Sequence, residues 1–477
     1  MDMLRVKKDG IVDAGGKPVR LRGFGVGGWM NMENFINGYP GTEQTLRRFA
    51  ADEIGDETAE YLFDRMLDHV LAEKDIAFMK KMGCSVVRLP LNYRHFESDA
   101  RPFRYIEKGF ERLEKAVGWC EKRRLHVILD LHAVQGWQDP DWHSDNPTRI
   151  TMFWWHPHFQ ERFLSLWKEF AKRYRGNAAI AGYNLINEPV TGSPFGAYGF
   201  KYKTDWKAIN AVYNQAVPEI RKIDPEHIIF LEGDNFSNLF SGLDPPPGDN
   251  IVYSNHLYMR PGFGPGKYPG EFMGERWDRK KFDEKFLAHE GYAYSKKHRV
   301  PLWVGEFGGA FNTGRGDIQY RRKAIYDQID TFEAHRAHWT IWTYKDIGMM
   351  GVATVKPDSK YMKTVAPVIR LKSALATDIW MSNTGARKTK DMVHALADHF
   401  LKTILDIGLA EAQFKRFLEQ VVLDNYIGMV LQPVWAKCFR GMSKKDIDGA
   451  MKSFALENCR MNADLVQVMS NHMGRPA

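Results

Sequence analysis

The chain has 477 residues, 44% hydrophobic and 26% charged, with a net charge of +8. The positive charge is spread out with no dense Lys/Arg block, so no nucleic-acid partner is expected, and no run approaches the roughly 18 apolar residues of a membrane span. So long a chain exceeds one ordinary domain unless that domain is a barrel with insertions.

Residues 1–8 lack the apolar segment of a secretory leader, which predicts a cytoplasmic location unless a leader has been trimmed. Alternating segments at 4–7 and 19–21, around Asp9-Gly10 and Gly15-Gly16, predict a hairpin. Short apolar runs then recur at 22–25, 85–89, 126–131, 181–186, 228–232, 251–256, 301–306 and 339–342. Amphipathic stretches such as 110–122, 159–174 and 206–222 lie between them. Strands alternating with helices in this way predict an α/β fold, a (β/α)8 TIM barrel, forming a catalytic domain over 1–371. A doubly wound sheet is disfavoured, because no GxGxxG follows a strand. Residues 37–71 are long for a strand-to-helix loop and predict a helical insertion that narrows the active-site cleft toward a pocket.

Beyond residue 372 the strand pattern stops. Met392, Leu396, Phe400, Ile404 and Ile407 recur at helical spacing, as do Phe414, Leu418, Val421 and Val422, and Ser443 before Asp446 resembles a capping box. A C-terminal helical region over 372–477 is therefore predicted, its stripes packing on each other or on the barrel. These stripes leave the oligomeric state open. Cys84, Cys120, Cys438 and Cys459 show no CxxC or metal-binding spacing; the first two read as buried thiols and the others as free.

Two carboxylates stand out: Glu188 in Asn187-Glu188-Pro189 and Glu306 in Gly305-Glu306-Phe307-Gly308. Each closes an apolar run at a predicted strand's C-terminal end, where a barrel of this kind keeps its chemistry. Such a pair suits hydrolysis of a sugar acetal, one carboxyl as general acid and the other as nucleophile. The acid requires a raised pKa, so Glu188 is expected in a partly desolvated place, and Glu306 is expected to be ionised.

Arg88-Leu89-Pro90, Asp130-Leu131-His132, Asn187-Glu188-Pro189, His256-Leu257-Tyr258, Gly305-Glu306-Phe307-Gly308 and Trp342 appear in one order, each ending a predicted strand. On these motifs residues 4–371 resemble glycoside hydrolase family 5 of clan A. The resemblance implies a carbohydrate substrate, no metal and no other cofactor, with Glu188 as acid/base and Glu306 as nucleophile. It further implies that Asn187 binds the sugar 2-OH and that Arg88 holds Glu306 through paired N–H donors. His132 and His256 would line the sugar subsite, Tyr258 would hydrogen-bond Glu306, and Trp342 would be the platform beneath the ring.

Residues 25–33, ending in Glu33, are similar to the strand-one loop of exo-acting β-1,3-glucanases, where a Glu in this place binds terminal hydroxyls. Residues 133–138 resemble the same group's loop after strand three, with Val134-Gln135 in place of its usual small residue and Pro; Trp137, Trp142 and His143 are candidate subsite walls. Residues 38–43, 92–97 and 344–348 depart from the common pattern, and Lys345 and Asp346 are expected to face the substrate mouth. The expected activity is retaining, exo-acting hydrolysis of the β-glucosidase or exo-β-glucanase type. A β-galactofuranosidase, an α-arabinofuranosidase, a transglycosylase and an inactive carbohydrate-binding barrel are the alternatives. Asp139, Asp141, His143 and Asp145 cluster, but their spacing matches no common Ca²⁺ or Zn²⁺ site.

Overall fold

Eight parallel strands close into a barrel in the computed structural model: β1 (Arg22–Gly25), β2 (Val86–Asn92), β3 (His126–Ala133), β4 (Ile180–Asn184), β5 (Ile228–Glu232), β6 (Ile251–His256), β7 (Leu302–Glu306) and β8 (His338–Ile341). The residues described are 1–192, 202–263, 266–312, 316–378, 386–404 and 410–477. Neighbours pair in chain order, and β8 closes on β1 through Trp339–Arg22, Thr340–Gly23 and Ile341–Phe24. Both strand faces are covered, inside by the barrel core and outside by helices, so the strands read as continuous apolar runs without alternation.

The helices carry the complementary period. Glu107–Lys122 buries Phe110, Leu113, Ala116, Val117 and Cys120, spaced to form a single stripe. Pro157–Tyr174 and Trp206–Arg221 do the same after β3 and β4. Among the described residues no helix is long and apolar enough to cross a membrane.

The N-terminal segment forms three antiparallel strands, Arg5–Lys7, Gly10–Val12 and Pro18–Val19, where a hairpin was expected. The middle strand, set between the two turns, pairs with both neighbours. Leu4 and Ile11 of this sheet join Val86, Ile128, Ile228 and Trp303 in one apolar cluster, so the sheet plugs the barrel floor. The opposite rim is left free for chemistry.

The insertion after β1 forms helices Glu43–Ile54 and Asp56–Val70, but they do not narrow the cleft. Leu62, Phe63 and Met66 need apolar cover and find it in the C-terminal region, where the Phe63 and Trp435 rings stack at 6.1 Å. That region is not wholly helical. Cys459–Met461 pairs with Ala353–Val355, which pairs with Lys345–Asp346 just past β8, tying the chain's end to the barrel. Ser443 caps Lys444–Met451 by accepting from the Asp446 N–H. The stripe Met392, Leu396, Phe400 and Ile404 is exposed rather than packed, because helix Arg387–Thr403 buries its Val393 and Ala397 face instead; Ile407 lies outside the described residues. All four cysteines are free thiols.

Candidate active site

Glu306 is the last residue of β7. Glu188 lies four residues beyond the end of β4 and adopts a φ of 47°, a left-handed conformation that costs energy for a side chain of this size. The carboxylate ending β5 stabilises that turn, since Glu232 Oε2 accepts the Glu188 backbone N–H at 2.9 Å. One oxygen of Glu188, one oxygen of Glu306 and a His256 nitrogen all lie within 4.8 Å of one another.

Arg88 lies fully buried beneath this pair. Its Nη1 donates to Glu306 Oε1, while Nη2 donates to Asn187 Oδ1 at 2.6 Å and stands 3.0 Å from Asp130 Oδ2. The guanidinium therefore splits its donors between the two halves of the site and does not grip Glu306 with both. Burial disfavours its charge, but Asp130, Glu306 and Glu232 outweigh that and keep it protonated. Tyr258 Oη donates to Glu306 Oε2 at 2.7 Å, so both nucleophile-position oxygens are held.

Histidines flank Glu188 on both sides. His256 Nδ1 lies 2.6 Å from Oε1, and His143 Nε2 lies 3.0 Å from Oε2. Burial opposes protonation of both rings. Even so, Glu232, Glu306 and Glu188 push His256 up to about 10, and Asp139, 3.1 Å from His143 Nε2, raises His143 well above its usual value together with Glu188. Burial would likewise raise the Glu188 carboxyl, yet these two imidazoles outweigh it and hold the group below its ordinary range. The direction is opposite to the sequence expectation, because a single-sequence reading does not reveal two cations converging on one carboxylate.

Around these groups is a cavity of about 540 Å³, within the range of small-molecule sites. Glu33, His132, His256, Tyr258, Glu188, Glu306 and Trp342 all line it. The Trp342 indole is fixed by the backbone of the β1 rim: a Cβ at Gly25 or Gly27 would fall 2.6 Å from its ring. His132 stacks on Trp342 at 5.3 Å and donates from Nδ1 to Asp130 Oδ2 at 2.8 Å. Burial keeps this imidazole neutral, leaving Nε2 as an acceptor 4.0 Å from Glu33 Oε1. Glu33 Oε2 accepts from Trp142 Nε1 at 3.1 Å, and Oε1 has no hydrogen-bond partner among the described residues.

Several expected residues lie elsewhere. Trp137 does not reach the cavity, because the turn closed by its own N–H to Val134 O directs it away; Trp142 takes the wall position. Arg88 and Asn187 sit behind the carboxylates and do not line the cavity. Lys345 and Asp346 are buried and do not face the mouth. Lys345 Nζ pairs with Asp75 Oδ1 at 2.6 Å, and Asp346 accepts the backbone N–H groups of Gly348, Met349, Met350 and Gly351. Asp139, Asp141 and Asp145 turn to separate partners, His143, Arg149 and Arg94 respectively, so they form no converging cation site. Glu188, His256 and Glu306 are ligand types in close reach, but Arg88 and His143 already supply the positive charge there.

The supporting roles of Asp130, Glu232, Asp139 and His143 were not foreseen. Asp130 and Glu232 carried one available signal, since each is a charge inside an otherwise apolar strand. Arg416 and Gln420, from the C-terminal region, also line the cavity, and no sequence motif marks them.

The family model described as "Cellulase (glycosyl hydrolase family 5)" matches residues 58–348. The chain is 34% identical to a protein named Beta-xylosidase from Phanerodontia chrysosporium, over 99% of this chain and 98% of that one. It is 26% identical to Endoglucanase C of Acetivibrio thermocellus, over 58% of this chain and 85% of that one. A solved structure described as a glycoside hydrolase superposes with a TM-score of 0.51 at 20% identity, covering 69% of this chain and 90% of that one, a likeness of fold. Barrel, motif order and family match agree: the protein belongs to glycoside hydrolase family 5.

Proposed function

We propose that this enzyme is a retaining, exo-acting β-glycosidase with Glu306 as nucleophile and Glu188 as acid/base. The observation that carries this reading is the short reach between the two carboxylates, with an oxygen of each within 4.8 Å. Inverting enzymes leave room for a water between their carboxyls and hold them roughly 6.5–9.5 Å apart; retaining ones hold them at roughly 5–5.5 Å.

The terminal sugar rests on Trp342 with its far hydroxyls toward Glu33 and His132. Glu306, oriented by Arg88 and Tyr258, forms a bond to the anomeric carbon as the glycosidic C–O bond breaks. The departing oxygen takes its proton through Glu188, which receives one from the His143 imidazolium 3.0 Å away, so the step leaves Glu188 ionised and His143 neutral. This line of transfer reconciles a low resting pKa at Glu188 with its acid role. In the second step Glu188 deprotonates a water that releases the sugar from Glu306. Similarity to the relative named β-xylosidase supports β-xylosides beside β-glucosides as substrates.

The test is a panel of 4-nitrophenyl β-xyloside, β-glucoside, β-mannoside, β-galactofuranoside and α-arabinofuranoside, with Glu306→Gln as control and proton NMR of the first product. Release of the β-anomer from a β-glycoside, lost in the control, is the expected result. An inverted first product would sink the retaining mechanism.

A further inference from the structure

The cavity is lined by Asn238 and Arg260, past β5 and β6, and by the hydrogen-bonded Glu33 and Trp142, past β1 and β3; β5 and β6 stand across the closed barrel from β1 and β2. Glu188, which delivers the proton, follows β4 on the first side, so the leaving group extends toward β5 and β6. The Trp342 platform follows β8, next to β1, so the sugar's far edge points toward Glu33 and Trp142.

That sugar end is closed by residues from outside the barrel. Gln420 belongs to a π-helical stretch, Glu419–Ile427, that continues helix Glu411–Leu418; such widened turns often occur at functional places. Gln420 is 1% exposed, yet it lines the cavity together with Arg416. Its Oε1 accepts from Arg149 Nη2 at 3.3 Å, and Arg149 Nη1 pairs with Asp141 at 2.9 Å. Its amide NH₂ has no protein partner among the described residues. The amide nitrogen keeps access to the cavity, where a water or a ligand oxygen can accept from it.

The segment and the C-terminal region on either side of it are fastened to the two loops that carry Glu33 and Trp142. Asn425 Nδ2 donates to Asn146 O at 3.4 Å in the loop after β3. Gln432 Nε2 donates to Pro40 O and Thr42 O at 2.8 Å, and Lys372 Nζ to Asn34 O and Tyr39 O at 2.8 and 2.7 Å, in the loop after β1. The tail therefore stands at a fixed place relative to the sugar.

We propose that the C-terminal segment 411–427 is the end wall of the terminal-sugar subsite, and that Gln420 donates its amide hydrogens to a hydroxyl of the non-reducing terminal sugar. The wall leaves no path for a further sugar on that side, which makes the enzyme exo-acting through its tail rather than through the insertion after β1. This inference rests on the assignment of Glu188 and Glu306 given above.

The test uses the full chain and Gln420→Glu, which keeps the oxygen that Arg149 binds and replaces the donor by an acceptor. KM for 4-nitrophenyl β-xyloside or β-glucoside, whichever the wild type prefers, is expected to rise about tenfold or more, with kcat within about threefold. Gln420→Ala, which shortens the wall, is expected to raise disaccharide release from the matching β-linked trisaccharide. Hydrogen exchange on the wild type supplies a readout that needs no variant: a non-hydrolysable thio-β-xyloside or thio-β-glucoside is expected to slow exchange over 419–427. Unchanged KM in a folded Gln420→Glu variant, or unchanged exchange at saturating thioglycoside, overturns the wall. Activity surviving in Glu306→Gln overturns the catalytic assignment instead, so the two failures are distinguishable.

Discussion

His143 Nε2 lies 3.0 Å from Glu188 Oε2 and 3.1 Å from Asp139 Oδ2, so one imidazole bridges the catalytic-site carboxylate and a buried aspartate. If the proton for the leaving group comes from this ring, its loss matters most where the leaving group is a poor one. His143→Ala is expected to lower kcat/KM by about 10–100-fold for an alkyl glycoside, and by under about threefold for a 2,4-dinitrophenyl glycoside. Equal losses for both leaving groups would show that His143 only supports the structure.

Arg88 contacts all three of Glu306, Asp130 and Glu232, whereas His256 reaches Glu232 and Glu306 from 3.4 and 3.8 Å. Arg88→Met leaves three buried acids facing one another. Unfolding in urea should show a loss of about 3–5 kcal/mol, as for other broken buried ion pairs. A loss below about 1 kcal/mol would mean that the acids take up protons without cost.

Burial raises the Glu33 carboxyl to about 8 against the pull of His143. In the unfolded chain the same group titrates near about 4.3. Between those values the folded chain keeps a proton that the unfolded chain has lost, so this group's contribution to stability falls as pH rises through the window. Glu33→Gln removes the titration. Its thermal midpoint should match the wild type at pH near 5 and exceed it at pH near 8.5; a pH-independent difference would contradict the buried titration.

Asp346 accepts four backbone N–H groups of residues 348–351 while fully buried, and Met350 of that turn lines the cavity. Removing the carboxylate orphans donors worth roughly 1–3 kcal/mol each when left unpaired. Asp346→Ala should therefore lower the thermal midpoint and raise KM several-fold, and Asp346→Asn should do less because one acceptor oxygen remains. Identical behaviour of the two variants would argue against the turn as the route of the effect.

Much of the architecture was legible because it is written in local periods. Eight apolar runs, each buried on both faces, and the single stripe of Glu107–Lys122 give strand and helix away without tertiary knowledge. Ser443 capping Lys444–Met451 is equally local. The end of β4 was less legible. It stops at Asn184 because Glu188 takes a left-handed turn held by Glu232, a partner 44 residues away. Trp137 and Trp142 look alike as candidate walls in the sequence, and only the turn at Val134 separates them.

The sequence by itself determined the barrel, the family and the placement of Glu188 and Glu306 at the C-terminal ends of the fourth and seventh strands, because these follow from apolar period and from residue types at strand termini. Tertiary structure alone decided the electrostatics and the shape of the cavity. Two imidazoles converge on Glu188 from β6 and from the loop after β3, and Gln420 reaches the sugar end from more than 230 residues beyond Glu188. Protonation depends on every charge within a few ångströms, whatever its place in the chain. A cavity wall likewise depends on which surfaces pack together, and the tail's packing on the loops after β1 and β3 is a long-range choice that no local pattern records.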